Sequence, residues 1–228
     1  MEVRQAGGAT PGLEGHRSLI AVLATAGIVA PVIFTAAAMV QSLLRADHSL
    51  LAHPISALGA GPSGWVQDAN FVLCGALLLA YAIGLHLGIH PVRLGVLGPA
   101  LLVLGGVGVV LAGVFPAVEE SGAFSEEQVG HTVASFMAFL GTGIGFIVLS
   151  RRLMCDPSWR SLASYALASG IAIVVLLLAF GPLAEESGTP LHPWMGLFEW
   201  VIVAVWFACT IVLSLKLMRV ARAVDVRR

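Results

Sequence analysis

Charge is what this sequence has least of. Only 11% of its 228 residues are Asp, Glu, Lys or Arg, while 58% are hydrophobic and the mean hydropathy is +0.93. Soluble domains carry about 25% charged residues, so a water-soluble globule is excluded and an integral membrane protein is indicated. Cysteine is scarce too. Cys74 and Cys209 fall inside apolar segments and Cys155 in a connection, which leaves no disulfide framework and no CxxC metal signature. HExxH is also missing, so there is no dense ligand pair for zinc. A net charge of −1 gives no basic footprint for nucleic acid, and none is expected as a partner. Alternating ten-residue segments are lacking, which excludes a barrel.

What is present is long apolar runs. A helical span needs about 20 such residues, and six segments qualify: 18–42, 65–87, 94–115, 129–150, 160–181 and 195–217. The expected fold is all-α, a six-helix transmembrane bundle over residues 18–217, with an N-terminal tail at 1–17 and a basic tail at 218–228. The first span is too long for a cleaved signal and no cleavage site follows it, so it reads as a retained helix. The charges are sorted by position. Every Lys and Arg except Arg45 lies at the termini or in the second and fourth connections, whereas Asp47, Glu119, Glu120, Glu126, Glu127, Glu185 and Glu186 occupy the first, third and fifth. The positive-inside rule then predicts cytoplasmic termini and three acidic connections facing outward.

The stretch His48 to Asn70 holds the densest chemistry. His53-Pro54 and Ser56 lead into Gly59, Gly61, Pro62 and Gly64, too rich in Gly and Pro to continue a helix. Trp65 opens the second span and Asp68 follows on its face. A carboxylate near the centre of a span costs roughly 2.5–3.5 kcal/mol on insertion scales, so a compensating role is expected. Glu199 in the last span matches it, because Asp68 follows Pro62, and Glu199 follows Pro193, by the same interval. At 1.5 Å per residue each carboxylate lies roughly 9 Å along its helix, so the two are expected at one depth.

Other groups gather at that level. His131 with Ser135 opens the fourth span, His53, Ser56 and His192 lie at the outward ends, and Trp65, Phe71, Phe115, Trp194, Phe198 and Trp200 supply aromatic surface. The reading is an outward pocket in which Asp68, His131 and Glu199 face one cavity, with Asp68 as proton donor and Glu199 as its partner. A structural hydrogen-bond network joining the second, fourth and sixth helices is the alternative. His48 and His192 precede their helices and are equally well explained as groups meeting water, and Trp65 and Trp194 as an interfacial belt.

Elsewhere the functions are plainer. The glycines of the third and fourth spans read as small-residue packing faces. Pro31 is expected to kink the first span, Trp159 to anchor at the membrane surface, and the fifth span to face lipid.

His53-Pro54-Ile55-Ser56, Gly64-Trp65-x-Gln67-x-x-Asn70-Phe71 with Gly75, Gly113-x-Phe115-Pro116 and Gly130-His131 together resemble the bacterial six-span family called domain of unknown function nine-nine-eight, over nearly the whole chain from first span to last. That resemblance implies the six-helix fold and a bacterial cytoplasmic (inner) membrane, and no activity. In outline, one acid early and one in the last span are similar to small membrane terpene cyclases. Three functions follow as expectations. The first is acid/base chemistry on a lipophilic substrate, with proton-initiated cyclisation or isomerisation of an isoprenoid preferred, membrane lipids as surroundings and no cofactor or metal. The second is a metal-dependent lipid hydrolase using His53, His131 and His192. The third is a non-catalytic small transporter or assembly factor. The sequence names neither the substrate nor an oligomeric state.

Overall fold

A computed structural model describes residues 11–117, 125–181 and 188–223. Glu119, Glu120, Glu185 and Glu186, and the outermost residues of both tails, lie outside these. Six helices are long and apolar enough to cross a membrane, and the described chain is all-α. They are α1 (Pro11–Leu44), α2 (Gly64–Gly88), α3 (Leu97–Val114), α4 (Glu126–Cys155), α5 (Ala163–Val175, continued by a π turn at Leu176–Phe180) and α6 (Met195–Ala223). Successive helices pack side by side, and α6 returns against α1 to close the bundle.

Both outer helices overrun the apolar segments that define their spans. α1 starts at Pro11 and α6 continues to Ala223, because internal backbone hydrogen bonds propagate a helix past the end of its hydrophobic stretch. Part of each expected tail is therefore helical. α4 has a clear start signal: the Ser125 side chain accepts from the Gln128 amide at 3.1 Å, with Glu126 and Glu127 in the first turn facing the positive end of the helix dipole.

The glycines act as expected where α3 meets α4. A Cβ on Gly105 would lie 2.5 Å from Thr142 Oγ1, and one on Gly108 would lie 2.4 Å from the Ala138 nitrogen; these backbones approach as closely as they do only because no side chain intervenes. α5 is the least enclosed span, with 28% of its apolar window buried against 50% for α6, in line with a lipid-facing helix.

At the end carrying the second and fourth connections, here the basic end, one residue organises the packing. The Arg152 guanidinium donates to the carbonyls of His86 (3.0 Å), His90 (3.1 Å), Gly95 (3.1 Å) and Ile89. It thereby satisfies the end of α2 and the turn that follows. Asp156 completes the staple, its Oδ2 accepting from the His90 amide at 3.1 Å and its Oδ1 from the Ser158 amide at 2.9 Å. Arg152 counts toward the basic asymmetry in the sequence, yet it is 4% exposed. Trp159 corrects an expectation: it is wholly buried beneath the α4–α5 corner instead of lying at a membrane surface.

Candidate functional site

At the opposite, acidic end the first connection folds back over the bundle as a strap. Its centre is a short 3-10 helix, Ile55–Gly59, whose Ile55 and Leu58 are buried. Both ends of this helix are held by charge. Glu199 Oε2 accepts from the Ile55 amide at 2.6 Å. The Arg45 guanidinium donates to the carbonyl of Ala60 at 2.9 Å, and at longer range to Ala57 and Leu58. An anion at the start and a cation at the end both complement the helix dipole. Arg45 is itself paired with Asp47 at 2.7 Å, and that guanidinium lowers the pKa of Asp47. The strap also caps α6, since Leu51 supplies the carbonyl for the Leu197 amide at 3.1 Å.

Beneath the strap lies a cavity of about 40 Å³, measured as space open to the centres of water molecules. A space of this size admits a few waters or one compact group. Its lining draws on every helix but α5: Phe34 from α1, Ser56 from the strap, Phe71 and Cys74 from α2, Val109 and Ala112 from α3, His131, Ser135, Ala138 and Phe139 from α4, and Glu199, Val203, Trp206 and Phe207 from α6. The rings touch in sequence, with Phe34 against Phe71 at 5.3 Å and Phe207 at 5.5 Å between centroids, and Trp206 against Phe139 at 5.9 Å.

His131 is 6% exposed and its tautomer follows from its partners. Nδ1 lies 2.7 Å from the Phe115 carbonyl and 3.2 Å from that of Ala112. Both can only accept, so Nδ1 carries the hydrogen. In the neutral ring Nε2 is then the basic nitrogen. Gly130 in front of it leaves room for the Phe115 ring, which a Cβ would meet at 2.7 Å.

The structure thus gathers five of the residues singled out from sequence, Ser56, Phe71, His131, Ser135 and Glu199, around one cavity. The others are elsewhere. Asp68 is not in the cavity lining: its Oδ1 lies 2.9 Å from where a Cβ on Gly59 would be, and among the described residues this buried oxygen has no hydrogen-bond partner. A count of residues along two helices says nothing of azimuth, and Asp68 turns to Gly59 of the strap while staying near enough to His131 for their charges to interact. His53 is exposed, its Nδ1 accepting from the Ser49 amide at 3.0 Å. Trp65 and Trp194 are 70% and 46% exposed, as an interfacial belt requires. Phe115 contributes its carbonyl, and its ring is partly exposed. His192 lies in the 3-10 turn His192–Trp194 that precedes α6, and Phe198 and Trp200 are half-buried.

Sequence reading missed other groups. Phe34, Cys74, Phe139 and Phe207 belong to the wall, and only Trp206 had a signal, two helical turns beyond Glu199. Beside the wall Gln67 Oε1 accepts from Gln41 Nε2 at 3.0 Å and from Asn70 Nδ2 at 3.2 Å, while Asn70 Nδ2 also donates to the Phe34 carbonyl at 3.1 Å. Gln67 and Asn70, three apart in an apolar span, carried that signal. His48 is no loop residue in water. Its Nε2 donates to the Pro54 carbonyl at 3.3 Å and its Nδ1 accepts from Ser42 at 2.8 Å, and burial lowers its pKa.

Among the described residues no three of His, Cys, Asp and Glu are grouped closely enough to hold a metal ion. The three histidines of the hydrolase expectation are dispersed. No curated protein and no solved structure matches the chain. A family model does match, over residues 28–216, which reaches into all six spans and takes in every residue of the cavity wall; the chain belongs to the family described as "Protein of unknown function (DUF998)".

Proposed function

We propose that this protein is a membrane-embedded enzyme that performs acid/base chemistry on a lipophilic substrate in the cavity under the strap. The observation that carries the reading is the pairing, in one aromatic-walled cavity, of an imidazole of fixed tautomer with a carboxylate, His131 and Glu199. The Nε2 of His131 takes or gives the proton. Glu199, already holding the strap, balances the charge that develops. Proton-initiated cyclisation or isomerisation of an isoprenoid is the finer proposal, supported by rings that stabilise a developing cation. An isoprenoid chain exceeds the present cavity, so in this proposal the strap withdraws to admit it and closes to exclude water. The acidic end faces away from the cytoplasm of a bacterial inner membrane.

The test is turnover by the purified protein of lipid extracts, read by mass spectrometry, against His131→Asn. Asn retains a donor for the Phe115 carbonyl and removes Nε2, so product should fall by roughly 10²–10⁴-fold while the fold persists. Equal product from His131→Asn would refute the proposal. One observation favours a transport reading in its place. Tyr81, Thr210 and Ser214 place buried hydroxyls, without partners among the described residues, between the cavity and the basic end, a polar route that a proton could follow across the bundle. Proton uptake into vesicles that stops in Ser214→Ala would favour it.

A further inference from the structure

We infer that the cavity takes a positively charged headgroup, a substituted ammonium on an apolar tail, and not a phosphate or diphosphate. This rests on reading the cavity as the protein's site and names the chemistry of what enters it. Four observations agree. Among the described residues Glu199 is the only acidic or basic side chain in the lining apart from His131, so the formal charge carried by the wall is negative. The wall is built of contiguous rings, Phe34, Phe71, Phe139, Trp206 and Phe207, whose quadrupoles attract a cation and repel an anion. Arg45 is the sole Lys or Arg in the first, third and fifth connections, and it is engaged by Asp47 and strap carbonyls. Among the described residues no Lys or Arg lines the cavity, whereas phosphate sites draw on Arg or Lys; of the helix N-termini at this end, that of α4 carries Glu126 and Glu127 and that of α6 is met by the Leu51 carbonyl.

Size points the same way. A cavity this small, about 40 Å³ of space open to water centres, suits a compact headgroup with the strap in place. The tail would leave between helices toward the hydrocarbon. The carboxylate and the rings then divide the work: Glu199 supplies the charge and the aromatic wall the desolvated surroundings in which that charge acts at high strength.

The experiment uses the full chain in maltoside micelles, which carry no ammonium of their own. Three probes share one tail: hexyltrimethylammonium, its carbon isostere 2,2-dimethyloctane, and hexyl sulfate. Binding is read from tryptophan fluorescence, since Trp206 stands in the wall. The ammonium should bind roughly tenfold more tightly than either other probe. In Glu199→Gln that advantage should fall to a few-fold, because the amide oxygen still accepts from Ile55 but the charge is gone. Phe139→Leu should weaken the ammonium several-fold and leave the alkane unchanged, and it carries the test if Glu199→Gln does not fold. No saturable ammonium binding, a sulfate or alkane that binds equally well, or a roughly tenfold preference left undiminished in Glu199→Gln would each overturn the inference. Ammonium binding by a protein that turns over nothing would uphold this site and remove the acid/base reading. Turnover of a neutral isoprenoid without ammonium preference would do the reverse.

Discussion

Glu199 Oε2 lies 2.6 Å from the amide nitrogen of Ile55, a contact across 144 positions of sequence. It ties the last helix to the strap that closes the cavity. A hydrogen bond with a charged partner contributes about 1.5–3 kcal/mol, and the lower part of that range is apt for a half-buried carboxylate. Glu199→Ala should lower the thermal unfolding midpoint and expose residues 48–63 to protease, whereas Glu199→Gln should do neither. Equal protease resistance of Glu199→Ala and the parent would show that the strap is held by its apolar residues, Ile55 and Leu58, alone.

Arg152 is predicted to be the most sensitive basic residue. Its fork serves four carbonyls at the end of α2 and in the α2–α3 connection, and each buried group left without a donor costs roughly 1–3 kcal/mol. Arg152→Met should fail to give a monodisperse protein in mild detergent. Arg152→Lys should be rescued only in part, because an ammonium cannot span the same set. Arg151, exposed beside it, should tolerate the same changes.

The pH dependence of stability should carry a signature of His48. Burial lowers its pKa below the ordinary 6.5, so below 6.5 the unfolded chain binds more protons than the folded one. Stability from this group is then present in full above pH 6.5 and declines as pH falls toward the folded value. His48→Gln keeps the donor to Pro54 without titrating, so its stability should fall less than the parent's between pH 7.5 and pH 5.5. Parallel slopes would mean that His48 charges freely in the folded state.

The two ends of the bundle can be assigned to sides of the membrane with one native thiol. Cys155 is exposed at the basic end while Cys74 and Cys209 are buried. In intact cells an impermeant maleimide should spare Cys155 and should label Ser63→Cys, which is exposed on the strap side. Labelling of Cys155 without permeabilisation would invert the topology.

Spans, connections and the charge partition were legible because hydrophobic length and the cost of burying charge act on local sequence. The cavity was legible in part. His131, Ser135 and Glu199 stand out as polar groups in apolar helices, but Phe34, Phe139 and Phe207 resemble any other core residue until the helices are assembled. The strap was the hardest to read. Gly61, at φ +82°, and Pro62 reveal that the chain turns, yet nothing local says that Ile55 will lie against Glu199 or that Arg45 will turn toward Ala60. Azimuth about a helix axis is set by packing, which an equal count from Pro62 and from Pro193 does not register, and Glu199 lines the cavity while Asp68 does not.

Asp68 and His131 give the sharpest contrast. If the reaction runs on groups that line the cavity, His131→Asn should reduce turnover by roughly the 10²–10⁴-fold that follows loss of a general acid or base, since the basic Nε2 is gone. Asp68 lies under Gly59 with a buried Oδ1 that has no partner among the described residues, so Asp68→Asn should act on the strap. The substitution gives the side chain a donor in place of an orphaned acceptor, and protease resistance of residues 48–63 should rise or hold while turnover changes less than tenfold. Gly59→Ala is the complement, because its methyl would meet that oxygen at 2.9 Å and should loosen the strap unless Asp68 is shortened as well. A loss in Asp68→Asn as deep as in His131→Asn, with the strap still closed, would make Asp68 the proton donor and require that the strap swing it into the cavity during the reaction.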